Sequence, residues 1–176
     1  MKLTTEQRDA LVKKKRDGSA FSDLLIYGAV KLGTREYRPN VAKTARVELS
    51  AASDDPAALA RILERHAAKA SVSGALLDVI CAVIVDAFIG LARAPAKHAA
   101  GAVACAAALE KLLARPRSLP MFGESAISAL VAFWLASKPK PANLTAILDR
   151  LIPAEISDES LVVRVVEYRQ ATAPRR

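Results

Sequence analysis

Few residues of this sequence are of types that do chemistry, and they stand apart from one another. Asp78 and Asp86 lie eight residues apart in one apolar stretch. On a helix that spacing projects them about 80° apart, where two carboxylates could act as an acid/base pair or bind a metal ion. We favour a plainer interpretation, in which both lie on an exposed or partner-facing edge or pair with arginines of neighbouring helices.

The histidines and cysteines offer no stronger site. His66 and His98 each lack the second histidine, four residues away, of a helical zinc site, and a lone helical histidine is typical of a surface or capping position. Cys81 and Cys105 fall in apolar helical sequence, which favours buried thiols over a disulfide or metal site. No phosphate-binding glycine loop or nucleophile elbow occurs. The sequence therefore predicts a protein that is not an enzyme and that uses no metal or other cofactor.

Positive charge is the most informative feature. The 176 residues include 26 Lys and Arg against 18 Asp and Glu, a net charge of +8, which favours nucleic acid, an anionic surface or an acidic protein as partner. The cations form short clusters at predicted loops and helix ends, and Tyr37 adds a ring that could stack on a base. The candidate nucleic-acid-binding residues are Lys13, Lys14, Lys15, Arg16, Arg35, Tyr37, Arg38, Lys43, Arg46, Arg115, Arg117, Lys138 and Lys140.

These clusters also have ordinary structural interpretations. Lys13–Arg16 ends a predicted helix, whose dipole favours cations, and Tyr37 could lie against the core in a polar loop. Four consecutive cations cannot all serve one dipole, however, and several clusters on a small helical body favour contact with a phosphate backbone. Lys43 and Arg46 share a face if 41–50 is a helix rather than a strand. Because no recognition helix follows a tight turn, we expect little sequence preference.

Helices must position these residues. The stretch Ser73 to Arg93 is nearly continuous apolar sequence, typical of a core helix or a membrane span, and the aspartates within it argue against the span. The alanine-rich stretch Pro95 to Ala114 follows, with Gly101 available for close backbone contact. We predict that these two helices form a central antiparallel hairpin.

The predicted fold is all-α, a compact bundle of about seven or eight helices. Its length fits a single domain, 1–176, which could divide into an N-terminal lobe, 1–53, and a C-terminal bundle, 54–176. The charged first 18 residues do not resemble a signal peptide, and the sequence therefore predicts a cytoplasmic, reducing location and no membrane contact.

A small, basic, alanine-rich helical chain without catalytic residues resembles the small subunits of CRISPR surveillance complexes, which are Cascade-like ribonucleoproteins. The resemblance is one of size, helical class and charge over the whole chain. It implies a non-catalytic subunit for antiviral defence that contacts RNA or single-stranded DNA and packs against other protein subunits, including copies of itself. Two alternatives stay open, namely a helical protein–protein adaptor or scaffold and a DNA-binding transcriptional regulator.

Overall fold

The structure, a computed structural model, describes residues 41–114 and 119–173. Within these residues it contains no strand, and its helices are α1 Val41–Ala51, α2 Pro56–Ala67, α3 Gly74–Leu91, α4 Pro95–Leu113, α5 Gly123–Ala136, α6 Ala142–Leu151 and α7 Glu159–Thr172. The predicted all-α fold is therefore confirmed. The helices that the sequence predicts before residue 41 lie outside the described residues.

Several of these helices begin at capping residues that the sequence itself signals. Asp55, followed by proline at the first helical position, accepts hydrogen bonds from the backbone N–H groups of Ala57 and Ala58 at 3.0 and 3.1 Å. Ser73 accepts one from the third residue of α3 at 3.3 Å, and Asp158 caps α7 in the same way. Each cap satisfies N–H donors that the first helical turn leaves unpaired.

The centre of the packing is α5, which lies against α3, α4, α6 and α7. Phe133 meets Phe88 of α3 edge to face, with ring centroids 5.4 Å apart, and Trp134 meets Tyr168 of α7 at 4.7 Å. The indole N–H of Trp134 donates to the Thr145 hydroxyl of α6 at 2.8 Å. These two neighbouring aromatic side chains therefore connect α5 to three other helices.

The helix α3 is long and apolar enough to cross a membrane, and it is the one helix of the described part that passes this test. Half of its residues are buried inside the protein, among them Ile80, Val83 and Ile84. Core helices of globular proteins share this length and composition. The packing of α3 against α5 fits the role in the core that the sequence predicts.

The main packing partner of α4 is α2, whereas the sequence led us to expect α3. A Cβ atom added at Gly101 would lie 2.8 Å from Cγ of Pro56 and 2.9 Å from the backbone N of Ala57, both in α2. One turn further on, the Cys105 thiol donates a hydrogen bond to the Pro56 carbonyl at 2.9 Å. Gly101 does allow a close helix approach, but the helix that it approaches is α2. The consecutive helices α3 and α4 touch only lightly, so the hairpin they form is not the centre of the packing.

We expect Gly101→Ala to destabilise the protein by about 1–3 kcal/mol, because the added methyl group overlaps backbone atoms of α2. Gly90→Ala is the matched control, since Gly90 is also helical and a Cβ there has no atom within 4 Å. The control should stabilise by up to about 1 kcal/mol through helix propensity. Urea denaturation followed by circular dichroism measures the free energy of unfolding of each variant. Equal unfolding midpoints for the two variants would contradict the close contact at Gly101.

Candidate nucleic-acid interface

Four of the predicted binding residues lie in the described part of the chain, namely Lys43, Arg46, Lys138 and Lys140. The structure places the first two on α1 and the other two in the connection between α5 and α6. The remaining predicted residues lie outside the described residues; they are Lys13, Lys14, Lys15, Arg16, Arg35, Tyr37, Arg38, Arg115 and Arg117.

Lys43 and Arg46 occupy the outer face of α1. The segment is helical, so the two residues lie one turn apart on the same side, and both are exposed. The opposite side of the helix carries Ala45 and Leu49, which are buried in the core and fix the orientation of α1. Neither cation forms an ion pair within the described residues. No described residue therefore neutralises either charge.

The acidic residue of α1 does not offset this face. Glu48 points toward α2, where its carboxylate forms a salt bridge with Arg65. The exposed residues that accompany the two cations on α1 include Thr44 and Ser50, whose hydroxyl groups are hydrogen-bond donors. The outer face of α1 thus carries two cations and neutral donors around the exposed Val47, and these cations and donors suit phosphate oxygens.

Lys140 has a structural role that the sequence analysis missed. Its ammonium group donates to the carbonyl oxygens of Trp134 and Leu135 at 3.0 and 2.5 Å, at the C-terminal end of α5. It also lies 4.5 Å from the centroid of the Trp134 ring. Burial of the ammonium group, together with the charge of Lys138, lowers the pKa of Lys140. The available signal was a lysine just beyond an apolar helix, where unpaired carbonyls attract cations.

Lys138 differs from Lys140. Both side chains are exposed and neither forms an ion pair within the described residues, but only Lys140 donates hydrogen bonds to backbone carbonyls there. The two lysines are therefore unequal candidates for contact with a polyanion, since Lys140 already donates to the protein and Lys138 does not.

The charge of the described part is balanced. Residues 41–114 and 119–173 together contain 13 Lys and Arg and 13 Asp and Glu, so their formal net charge is zero. The whole excess of +8 comes from the other segments: residues 1–40 hold nine basic and five acidic residues, and 115–118 and 174–176 hold two basic residues each. The net positive charge therefore lies in these three segments of the sequence, whereas the charges of the described helices sum to zero.

Other cations of the helical body take part in its internal contacts. Arg150 of α6 forms a paired hydrogen bond with Glu110 of α4, at 2.5 and 3.0 Å, and this bond lowers the pKa of the Glu110 carboxyl group. Arg164 of α7 donates to the backbone carbonyl of Ser128 at 3.1 Å and to its hydroxyl at 2.9 Å. These two arginines connect helices, and we do not include them in the interface.

The two aspartates of α3 have different surroundings. Asp86 is exposed, whereas Asp78 is half-buried and its Oδ1 atom has no hydrogen-bond partner in the described residues. Neither forms an ion pair with an arginine of that part of the chain. No group of three or more His, Cys, Asp or Glu side chains that could hold a metal ion occurs within residues 41–114 and 119–173.

The histidine and cysteine predictions have different outcomes. His66 is buried, which contradicts the expected surface or capping position; its Nδ1 lies 3.1 Å from Nζ of Lys69. Burial and the charge of Lys69 lower the pKa of His66. Cys81 and Cys105 are buried free thiols, as predicted, and burial raises the pKa of each to about 12. Such thiols are protonated and unreactive at neutral pH.

No family model, no curated protein and no solved structure matches the chain.

Proposed function

We propose that this protein is a non-catalytic nucleic-acid-binding subunit of a ribonucleoprotein assembly, contacting the backbone of RNA or single-stranded DNA and packing against other protein subunits. The observation that carries the proposal is the separation of charge, with an uncharged total over the described helices and a +8 excess in the segments 1–40, 115–118 and 174–176. Clustered cations of this kind release counterions when they bind phosphates, which drives binding without base recognition. This is also the function that the resemblance to CRISPR small subunits implies.

The outer face of α1, which belongs to the described helical part of the chain, also supports the proposal. Lys43 and Arg46 follow directly after the basic segment 1–40 in the chain, and both are exposed without an ion pair in the described residues. The two cations and the hydroxyl group of Ser50 share one side of the helix, so one bound strand can contact all three. We therefore include this face in the proposed interface, together with Lys138, and leave out Lys140.

A protein adaptor without nucleic-acid contact is the second candidate. The observation that favours it is a set of exposed valine side chains on α7, at positions 162, 163 and 166. Exposed apolar side chains of this kind mark protein interaction sites when they are contiguous. The two candidates differ in whether a polyanion binds, and the following experiment separates them.

The test is a titration of the protein with labelled oligo(U) RNA and oligo(dT) DNA at a series of salt concentrations, followed by fluorescence anisotropy. The proposal predicts that the logarithm of the affinity falls linearly with the logarithm of the salt concentration, by about 0.7 for each phosphate contact. The double substitution Lys43→Glu and Arg46→Glu should reduce that slope by about 1.4, which corresponds to two lost contacts.

The matched control carries Lys97→Glu and Lys111→Glu. Both residues are exposed on α4 and form no ion pair in the described part, and the change in net charge is the same. It should leave the slope close to that of the wild type. If the protein binds neither oligonucleotide at low salt, the proposed function is wrong and the adaptor is favoured. If the two double variants have equal salt-dependence slopes, α1 is not part of the interface.

A further inference from the structure

The last helix, α7, has an apolar side that the other helices of the described residues do not cover. Leu161, Val165 and Tyr168 lie on the inner side, where they are buried against the core. On the outer side Val162, Val163 and Val166 are 43, 60 and 50% exposed. Three β-branched side chains within five residues are unusual on a solvent-facing helix, because they add neither solubility nor helix propensity. We infer that this side has a protein partner.

The charges at the two ends of this apolar side indicate which partner. Glu159 lies at the N-terminal end of α7 and Arg169 near its C-terminal end, and both are exposed. They are ten residues apart, or about 15 Å along the helix, so they cannot pair with each other. Neither forms an ion pair with any other residue in 41–114 or 119–173.

We propose that the partner is a second copy of this chain, and that α7 packs against α7 of that copy in an antiparallel, twofold-symmetric arrangement. In this arrangement Glu159 of each copy lies opposite Arg169 of the other, whereas a parallel arrangement would place like charges together. The midpoint between these two positions is residue 164, so Val162, Val163 and Val166 meet their counterparts at the crossing point. The same twofold rotation therefore brings the opposite charges of Glu159 and Arg169 together and the valine side chains together.

The interface should be weak. A stable specific interface buries about 800 Å² on each partner, and three partly exposed valine side chains supply only part of that area. We therefore expect a reversible dimer that forms at high protein concentration. The inference rests on the part of the proposed function that concerns packing against other subunits, and it does not depend on nucleic-acid binding.

Sedimentation equilibrium of nucleic-acid-free protein over about a hundredfold range of concentration, reaching the high micromolar range, tests the proposal. The wild type should shift from monomer to dimer across that range, and Val163→Lys should remain monomeric. Ile89→Lys is the matched control, because Ile89 is 62% exposed on a different helix, α3, and the variant should dimerise like the wild type. A wild type that stays monomeric, or a dimer that Val163→Lys leaves intact, would overturn the proposal.

Charge exchange tests the antiparallel orientation. Glu159→Arg alone and Arg169→Glu alone should each weaken the dimer at least about tenfold, because each creates two like-charge contacts. The double variant Glu159→Arg/Arg169→Glu, and an equimolar mixture of the two single variants, should recover the association. Circular dichroism establishes that each variant is folded. Single variants that dimerise as well as the wild type would contradict the antiparallel contact, and these results are independent of whether RNA binds.

Discussion

Reversing the charges of Lys13, Lys14, Lys15 and Arg16 to glutamate should lower the affinity for single-stranded RNA by about a hundredfold at moderate salt concentration. The change removes the densest cluster of cations in the segment 1–40, which holds nine of the 26 basic residues of the chain. Each lost phosphate contact removes counterion release, and each new carboxylate repels the strand. Fluorescence anisotropy at two salt concentrations measures the loss and the reduced salt dependence.

The control for this prediction has the same charge change elsewhere. Arg61, Arg93, Lys97 and Lys111 are exposed cations of the described helical body outside the proposed interface, and their replacement by glutamate also lowers the net charge by eight. That variant should lose much less affinity, and the melting temperature of the cluster variant should equal that of the wild type. If both variants bind equally weakly, the net charge matters and the position of the cluster does not.

Replacing Val83 with aspartate should unfold the protein or destabilise it by several kcal/mol. Val83 is 3% exposed in the part of α3 that lies within the core, and the new carboxylate would have no partner there. An unpaired charge in an apolar interior costs several kcal/mol, which is comparable with the total stability of about 5–15 kcal/mol that domains have. Circular dichroism and urea denaturation report the loss of helix and the shift of the midpoint.

The same substitution at Ile89 is its control. Ile89 lies on the same helix and is 62% exposed, so Ile89→Asp introduces the same side chain into water. Its midpoint should lie close to that of the wild type. A Val83→Asp variant as stable as Ile89→Asp would show that the two sides of α3 do not differ in burial.

One part of the proposed interface could be predicted from local sequence. The spacing of Lys43 and Arg46 predicts one shared face, and the structure has this face because α1 is helical. The contacts of Lys140 could not be predicted in this way. It stands two residues from Lys138 in the same basic connection, and both are exposed, yet only Lys140 donates to the carbonyl of Trp134. Which lysine reaches the carbonyl oxygens depends on the path of the backbone after the C-terminal end of α5.

The amino-acid sequence by itself determined the helical class, several helix starts and the net charge. The caps at Asp55, Ser73 and Asp158 act on backbone groups two or three residues away, so local sequence contains both partners of each hydrogen bond. Charge is likewise a sum over residues, and it needs no coordinates.

Only the tertiary structure decided which helices meet. Gly101 approaches α2, and Cys105 bonds to a carbonyl 49 residues earlier in the chain. His66 is buried because neighbouring helices cover it, and the outer valines of α7 are exposed because no other helix of the described residues covers them. An apolar helix can pack against any of several apolar neighbours at similar cost, since the hydrophobic effect has no direction. The choice among them depends on the complementary shapes of surfaces that are far apart in the sequence.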